Sequence, residues 1–331
     1  MSDMLAMIRT LGDQLRWASE MEPPDVPRAD ELIVVGMGGS GVSGDYLRSV
    51  AGESTARVHV HKDYGPLPRW VESRRALVVA ASYSGNTEET LDGVADARAR
   101  GLDVIAMTTG GALLDLADGS LPVVRIPTGL QPRAAVGYLA GAALRVAATA
   151  GAIDDQRPAL EESAELADEA LAEGSAAWAE AEATADSLRG RVTIVYGGGP
   201  VSGTVAARWK TQINENAKMP AWASYLPELN HNELVGWETM PDATASSLAI
   251  VALTDVDDHP RVGARRGFSE QLTSDAVPWV ATIESWGDSR FTRLMSLTVS
   301  GDLVSWMMAR NEGVDPTPVG TIEKLKVLLR D

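Results

Sequence analysis

The spacing of apolar positions divides the chain into elements. Met4, Leu5, Ile8, Leu11, Leu15 and Ala18 recur at helical intervals and predict a helix over residues 3–20, which the Pro-rich stretch Glu22–Pro27 ends. Short apolar or β-branched runs then alternate with helically spaced segments. Glu31–Val35, Arg57–His61, Ala76–Ala81, Asp103–Met107 and Leu121–Ile126 read as strands. Segments through Tyr46 and Leu47, and through Leu91, Val94, Ala95 and Ala99, read as helices, and the Ala-rich Arg133–Ala150 closes the unit as a long helix. Strands and helices alternating at these lengths imply an α/β fold with a parallel sheet covered on both faces.

Residues 154–190 differ: they are acidic and Ala-rich, with helical spacing and no strand signal, and they predict one or two connecting helices. The first pattern then restarts. Val192–Tyr196 reads as a strand, Gly197-Gly198-Gly199-Pro200 as a turn and Val201–Ala217 as a helix. A strand at Leu248–Leu253, helices near 259–272, 288–311 and 320–330, and a strand at Val277–Thr282 follow. Ile33-Val34-Val35-Gly36-Met37-Gly38 parallels Ile194-Val195-Tyr196-Gly197-Gly198-Gly199, and Val-Ser-Gly follows in both, at 42–44 and 201–203. This is an internal repeat of a whole domain. The expected organisation is a first domain over 1–153, an acidic helical connector over 154–190 and a second domain over 191–331.

Composition narrows the function classes. With 331 residues, 45% of them hydrophobic, the chain is long enough for two globular domains. A formal net charge of −17 argues against a nucleic-acid or anionic-membrane surface, so an anionic substrate needs a local site that works against the global field. No apolar run approaches the roughly 18 residues of a membrane span, and Met1–Ser19 lacks the pattern of a signal peptide. The absence of cysteine removes disulfides, thiolate metal sites and a Cys nucleophile, and it fits a cytoplasmic protein.

The candidate chemistry begins at Ser82-Tyr83-Ser84-Gly85-Asn86-Thr87-Glu88-Glu89, between an apolar strand and a helix. Three hydroxyls surround a turn in which Gly85 allows close backbone approach, and the following helix offers unpaired N–H groups, an arrangement suited to phosphate. With no Lys or Arg in the stretch, dipoles and hydroxyls would hold the anion. An ordinary helix cap by Thr87 or Ser84 is the plainer reading. Gly36-x-Gly38-x-x-Gly41 matches a dinucleotide fingerprint, and Asp63 stands where a ribose-binding acid is wanted. Ser40 and the Ser82–Thr87 cup compete for the same crevice, however, and make a compact phosphate pocket too crowded for a dinucleotide. In the second copy the matching strand ends in Thr254-Asp255-Val256-Asp257-Asp258, three acids without such a cup, so phosphate belongs to the first half. His59 and His61 share one face of a strand, a possible metal pair, although satisfied or exposed side chains are the commoner case.

Gly38-Gly39-Ser40-Gly41 together with Ser82–Glu89 resembles the sugar isomerase (SIS) domain, and two such domains in tandem resemble phosphoglucose isomerases. Gln131-Pro132-Arg133-Ala134-Ala135, Asn214-Glu215-Asn216-Ala217-Lys218 and Pro227-Glu228-Leu229-Asn230-His231-Asn232-Glu233 are similar to stretches of the bifunctional phosphoglucose/phosphomannose isomerases. The resemblance covers nearly the whole chain. It implies two tandem SIS domains, each a parallel sheet flanked by helices on both faces. It also implies a homodimer, no metal and no cofactor, and a small sugar phosphate as substrate. The implied reaction interconverts glucose 6-phosphate, and mannose 6-phosphate, with fructose 6-phosphate by base-catalysed proton transfer through a cis-enediol(ate).

The resemblance assigns residue roles. Gly39, Ser40, Ser82, Ser84 and Thr87 bind the phosphate. Glu215 is the base that moves the proton between C1 and C2, a task a carboxylate performs when partial burial raises its pKa. Arg133 stabilises the enediolate charge. His231, contributed by the partner subunit in the family, opens the sugar ring. A C-terminal lysine assists; Lys326 is favoured by its Leu-Lys pair, with Lys324 as the alternative. A sugar-phosphate-binding SIS protein without catalysis is the competing class; such proteins usually carry a DNA-binding head, for which residues 1–30 supply only one helix. A glutamine-dependent aminotransferase would need the cysteine that this chain lacks.

Overall fold

In the computed structural model, residues 2–71 and 75–329 are described. Contacts divide the chain into two compact units, one formed by Arg9–Glu169 with Trp286–Ser296, the other by Ala170–Ser285 and Leu297–Asp331 with Met1–Ile8. The N-terminal helical pattern forms two helices, α1 (Ser2–Arg9) and α2 (Leu11–Glu20), with a single turn residue, Thr10, between them.

In the first unit, β1 (Glu31–Val35), α3 (Gly38–Ala51), β2 (Arg57–His61), β3 (Ala76–Ala81), α4 (Glu88–Ala99), β4 (Asp103–Thr108), α5 (Gly111–Ala117) and β5 (Val123–Arg125) build a five-stranded parallel sheet in the order β2-β1-β3-β4-β5. The strands β1 and β3 are apolar on both faces because both faces are covered. Val34 lies under α3, and Val35 on the opposite face lies under α4. Ile33, Val35, Val78, Ala80, Val104 and Ala106 pack with Val94, Ala97, Leu113 and Ala117 of α4 and α5. Burying each larger aliphatic side chain contributes about 1.5–3 kcal/mol. The helix α6 (Val136–Thr149) starts three residues later than its pattern predicted, because Pro132–Ala134 forms a separate 3-10 turn that carries Arg133.

The acidic stretch forms α7 (Arg157–Ala170) and α8 (Ala176–Ser187). The second unit then contains β6 (Val192–Gly197), α9 (Ser202–Gln212), β7 (Ala221–Tyr225), α10 (Pro241–Ser247), β8 (Leu248–Thr254), α11 (Pro260–Thr273) and β9 (Trp279–Glu284), and its four strands are parallel in the order β7-β6-β8-β9. Both α12 (Arg290–Glu312) and α13 (Gly320–Leu328) lie within a residue or two of their expected ranges; the last residues of the expected 320–330 helix and of the 191–331 domain, Arg330 and Asp331, lie outside the described residues. Among the described residues no helix is long and apolar enough to cross a membrane.

Three short elements, α5, β7 and α10, were not foreshadowed by hydropathy. The edge strand β7 does not alternate: Trp222 and Tyr225, on opposite faces, are both exposed, while Ala221 is buried. The predicted helix Val201–Ala217 also divides. α9 ends at Gln212, and Ile213–Ala217 continues as a π-helical turn.

Candidate active site

In the first unit the chain order reverses between the adjacent strands β1 and β3, the switch point at which open α/β sheets bind ligands beyond the strands' carboxyl ends. Two helices start there. Extended Met37 precedes α3 and extended Thr87 precedes α4, and neither helix receives a side-chain cap. The first-turn N–H groups therefore remain available to an anion. The Thr87 hydroxyl instead lies 2.8 Å from the Ser82 hydroxyl. Buried Ser82 accepts the Gly85 N–H at 3.0 Å, and buried Ser40 accepts the Tyr83 N–H at 3.0 Å, which ties the two turns together. A hydroxyl that accepts from the backbone keeps its own hydrogen to donate. Ser84 is exposed at the tip.

Glycine is required at two positions in this cup. Gly85 has φ +70°, and a Cβ there would collide with the Gly110 carbonyl. A Cβ on Gly39 would stand 2.7 Å from the Pro132 oxygen and 3.1 Å from the Arg133 Cα, so the 3-10 turn carrying Arg133 closes directly over the first turn. Arg133 is 3% exposed. Tyr83 joins the two features: its hydroxyl donates to the Pro127 carbonyl at 3.0 Å and accepts the Leu130 N–H at 3.1 Å, fixing the approach to Arg133. Burial pushes the Tyr83 phenol pKa up, which keeps that donor protonated.

In the second unit Glu215 stands on the π-turn, a feature concentrated at functional sites. A buried polar ladder holds this turn from beneath. Both Asp302 carboxylate oxygens accept from Arg208 at 2.8 Å, Gln212 donates to the same carboxylate at 2.6 Å, and Asn216 donates to Ser305 at 3.0 Å. Asn214 donates to the Met219 carbonyl at 2.8 Å. The asparagines beside Glu215 thus anchor the turn's backbone. Glu215 opens on a cavity of about 590 Å³, lined by Asn214, Glu215 and Lys218 on one side and Pro318–Ile322 with Lys324 on the other. That size suits a small-molecule site. Lys326 and His231 are not in its lining; Lys326 lies in the exposed last turn of α13.

The loop carrying His231 is more ordered than its polar sequence suggested. Glu228–His231 is a 3-10 turn with Leu229 buried beneath it, and Asn230 donates to Ser269 at 2.7 Å. Glu233 accepts from the Tyr196 hydroxyl, and from Ser224 at 2.6 Å. Burial, reinforced by Glu233, raises the Tyr196 pKa well above its ordinary range. These anchors leave His231 exposed.

The model of the bacterial phospho-glucose isomerase C-terminal SIS domain matches residues 178–329. A bifunctional phosphoglucose/phosphomannose isomerase of Caldicellulosiruptor bescii is 39% identical over 303 residues, covering 90% of this chain and 88% of the relative. The chain belongs to the bifunctional phosphoglucose/phosphomannose isomerase family. A second relative of that name, from Aquifex aeolicus, is 30% identical over 334 residues, with 100% of this chain and 99% of the relative covered. The fold also matches the solved C-terminal domain of glucosamine-fructose-6-phosphate aminotransferase from Francisella tularensis, with a TM-score of 0.69 at 14% identity, over 95% of this chain and 97% of that one.

Within this family member the Gly-rich turn after β6 differs from the cup after β1. The Gly198 and Gly199 N–H groups donate to the Ser202 hydroxyl at 2.9 and 3.0 Å, and Ser202 donates to Asp258 at 3.0 Å. The chain's own carboxylate fills this turn, and burial pushes its pKa up. His59 and His61 lie with ring centroids 6.3 Å apart; burial, then the neighbouring His61, lowers the His59 pKa. Among the described residues no cluster of three or more His, Asp or Glu side chains is placed to hold a metal ion. Tyr83, Lys218 and the Arg208–Asp302 pair escaped the sequence reading. Only Tyr83 and Lys218 stand inside stretches that had drawn attention.

Proposed function

We propose that this protein interconverts glucose 6-phosphate and mannose 6-phosphate with fructose 6-phosphate, the activity carried in the names of its relatives. The observation that carries the reading is Glu215 on a π-turn facing a sugar-sized cavity that also holds a lysine. Gly39, Ser40, Ser82, Ser84 and Thr87 take the phosphate with backbone N–H groups and hydroxyls. Glu215 moves the proton between C1 and C2, and Arg133 stabilises the enediolate. The ring-opening lysine is Lys326, favoured by its Leu-Lys pair, with Lys324, which lines the Glu215 cavity, as the alternative. The first sheet is read as a SIS domain like the second, giving tandem SIS domains over 1–153 and 191–331 joined through 154–190. The protein acts as a cytoplasmic homodimer in glycolysis and gluconeogenesis, with His231 donated to the partner's site; its exposure on an anchored turn, outside the lining of its own Glu215 cavity, supports that arrangement.

A coupled assay of purified protein on both epimers, in chelator-containing buffer, tests the reading. Turnover of glucose 6-phosphate and mannose 6-phosphate without added metal is expected. Full dependence on Zn²⁺ or Mg²⁺ would overturn the metal-free enediol route. A flat trace with mannose 6-phosphate alone would leave a monofunctional isomerase, and binding without turnover of either sugar would favour the non-catalytic class.

A further inference from the structure

Glu233 has no part in the reaction as described so far, yet both oxygens of its carboxylate are taken. Tyr196 of β6 donates its hydroxyl to one, and Ser224 of β7 donates to the other at 2.6 Å. Tyr196 and Ser224 are direct partners in the parallel pairing of the two strands, so one carboxylate reaches both hydroxyls. Tyr196 is buried, and its ring packs edge-on against Trp279 with 5.3 Å between centroids, which makes its hydroxyl a fixed point. A buried hydroxyl left without an acceptor is costly, so the strand end itself requires this partner.

The residues on either side of His231 are held as well. Asn230 donates to Ser269 of α11 at 2.7 Å. Asn232 donates to Glu228 at 2.9 Å and accepts the Glu233 N–H at 2.7 Å. Leu229 before His231, and Leu234 and Trp237 after it, pack with Tyr196 and Leu226 in one apolar cluster. Apolar contact is non-directional: it holds the turn down without fixing its rotation. Hydrogen bonds from rigid donors have direction. Glu233, two residues beyond His231, supplies that direction and ties the turn to the strands themselves.

We infer that Glu233 is a positioning residue for His231: its carboxylate, gripped by the Tyr196 and Ser224 hydroxyls, sets the orientation in which the turn presents the imidazole. The inference rests on the isomerase reading, in which His231 opens the sugar ring, and it holds whichever subunit's site His231 serves. Ring opening is the step that Glu233 governs. Proton transfer between C1 and C2 stays with Glu215.

Glu233→Ala removes the carboxylate, and Tyr196→Phe removes one hydroxyl while keeping the ring. Turnover of the closed-ring sugar phosphates is expected to fall by about 10²-fold in Glu233→Ala, the cost of an ångström-scale misplacement, and by less in Tyr196→Phe, with a smaller change in KM in both. Solvent exchange of the C1/C2 proton on an open-chain analogue lacking the ring-closing hydroxyl should stay close to the parent. Backbone amide exchange across 228–238 should accelerate. Glu233→Gln keeps a carbonyl for Tyr196 and offers an amide to the Ser224 oxygen, so it should recover most of the turnover. In a double-mutant cycle, adding Glu233→Ala to His231→Ala should cost no further turnover. Unchanged turnover in Glu233→Ala overturns the inference. So does an additive cycle, and so does a parallel loss of open-chain exchange. Glu233→Gln as impaired as Glu233→Ala, beside an unimpaired Tyr196→Phe, also overturns it, because the charge itself would then be the working group. If Glu233→Ala fails to fold, Tyr196→Phe carries the cycle with His231→Ala by the same criteria. Failure of the underlying reading looks different: the parent would lack isomerase activity, or His231→Ala would keep full turnover of closed-ring substrate.

Discussion

At the scale of single residues the roles separate into chemistry and binding. Glu215→Gln keeps the shape and removes the base, so turnover should fall by roughly 10²–10⁴-fold while sugar-phosphate binding survives. Retained C1/C2 proton exchange in that variant would remove Glu215 from its role. Glu228, whose carboxylate accepts from Asn232 at 2.9 Å, is then the next candidate ahead of Glu233, which both Tyr196 and Ser224 hold. Parallel Lys324→Met and Lys326→Met variants decide between the lysines: turnover of closed-ring substrate should be lost only in Lys326→Met, and loss only in Lys324→Met would reverse the assignment. In the cup, the Thr87 hydroxyl does not cap α4 and Ser84 is exposed. Thr87→Ala and Ser84→Ala should therefore each weaken substrate binding by about 1.5–3 kcal/mol, as for bonds to charged groups, with little change in melting temperature. Unchanged affinity for inorganic phosphate and substrate in both would mean that the turn does not bind the anion.

At the scale of elements, the same strand-turn-helix unit is used twice with opposite contents. After β1 and β3 the turns leave helix N-termini uncapped; after β6 the Gly turn encloses the Asp258 carboxylate. Burial raises the Asp258 pKa above its unfolded value, so between those two values the native state binds more protons than the unfolded chain. Stability from this group is thus present at the acidic side and lost as pH rises through the raised pKa. Asp258→Asn should flatten the dependence of melting temperature on pH just above the ordinary carboxylate range and melt higher than the parent beyond it. Identical slopes in the two proteins would show that the carboxylate is fully compensated by Ser202 and the Asp255 N–H. The acids at the end of β8 were legible as the absence of a cup. That one of them occupies the turn was not, because the contact spans 56 residues of sequence.

At the scale of the whole molecule the test is complementation. If His231 serves the partner's site, co-expressed Glu215→Gln and His231→Ala subunits should regain activity. Each heterodimer then has one site carrying both lesions and one carrying neither. Recovery towards half of the parent turnover per verified heterodimer is expected; none would mean that both residues serve one chain's site. The acidic balance of −17 means that an anionic substrate needs a local site that works against the global field, the task the uncapped helix N-termini and hydroxyls of the cup are suited to.

The element order, the repeat and the hydroxyl turn were determined by contiguous residues, since hydrophobic period and turn chemistry act over a few positions. So was the family resemblance, which rests on short unbroken stretches. Tertiary structure decided the rest. β7 forms an edge strand although its aromatic side chains are exposed, because β6 supplies the pairing partner. Arg133 is buried against Gly39 because only a glycine there admits the 3-10 turn. Lys324 and Lys326 are two residues apart on α13, roughly 200° around the helix, so only one of them can face a given cavity. Sequence spacing is silent on which one. The fold puts Lys324, and not Lys326, in the lining of the cavity that Glu215 opens on, because the chain from Pro318 to Ile322 brings that side of α13 to it.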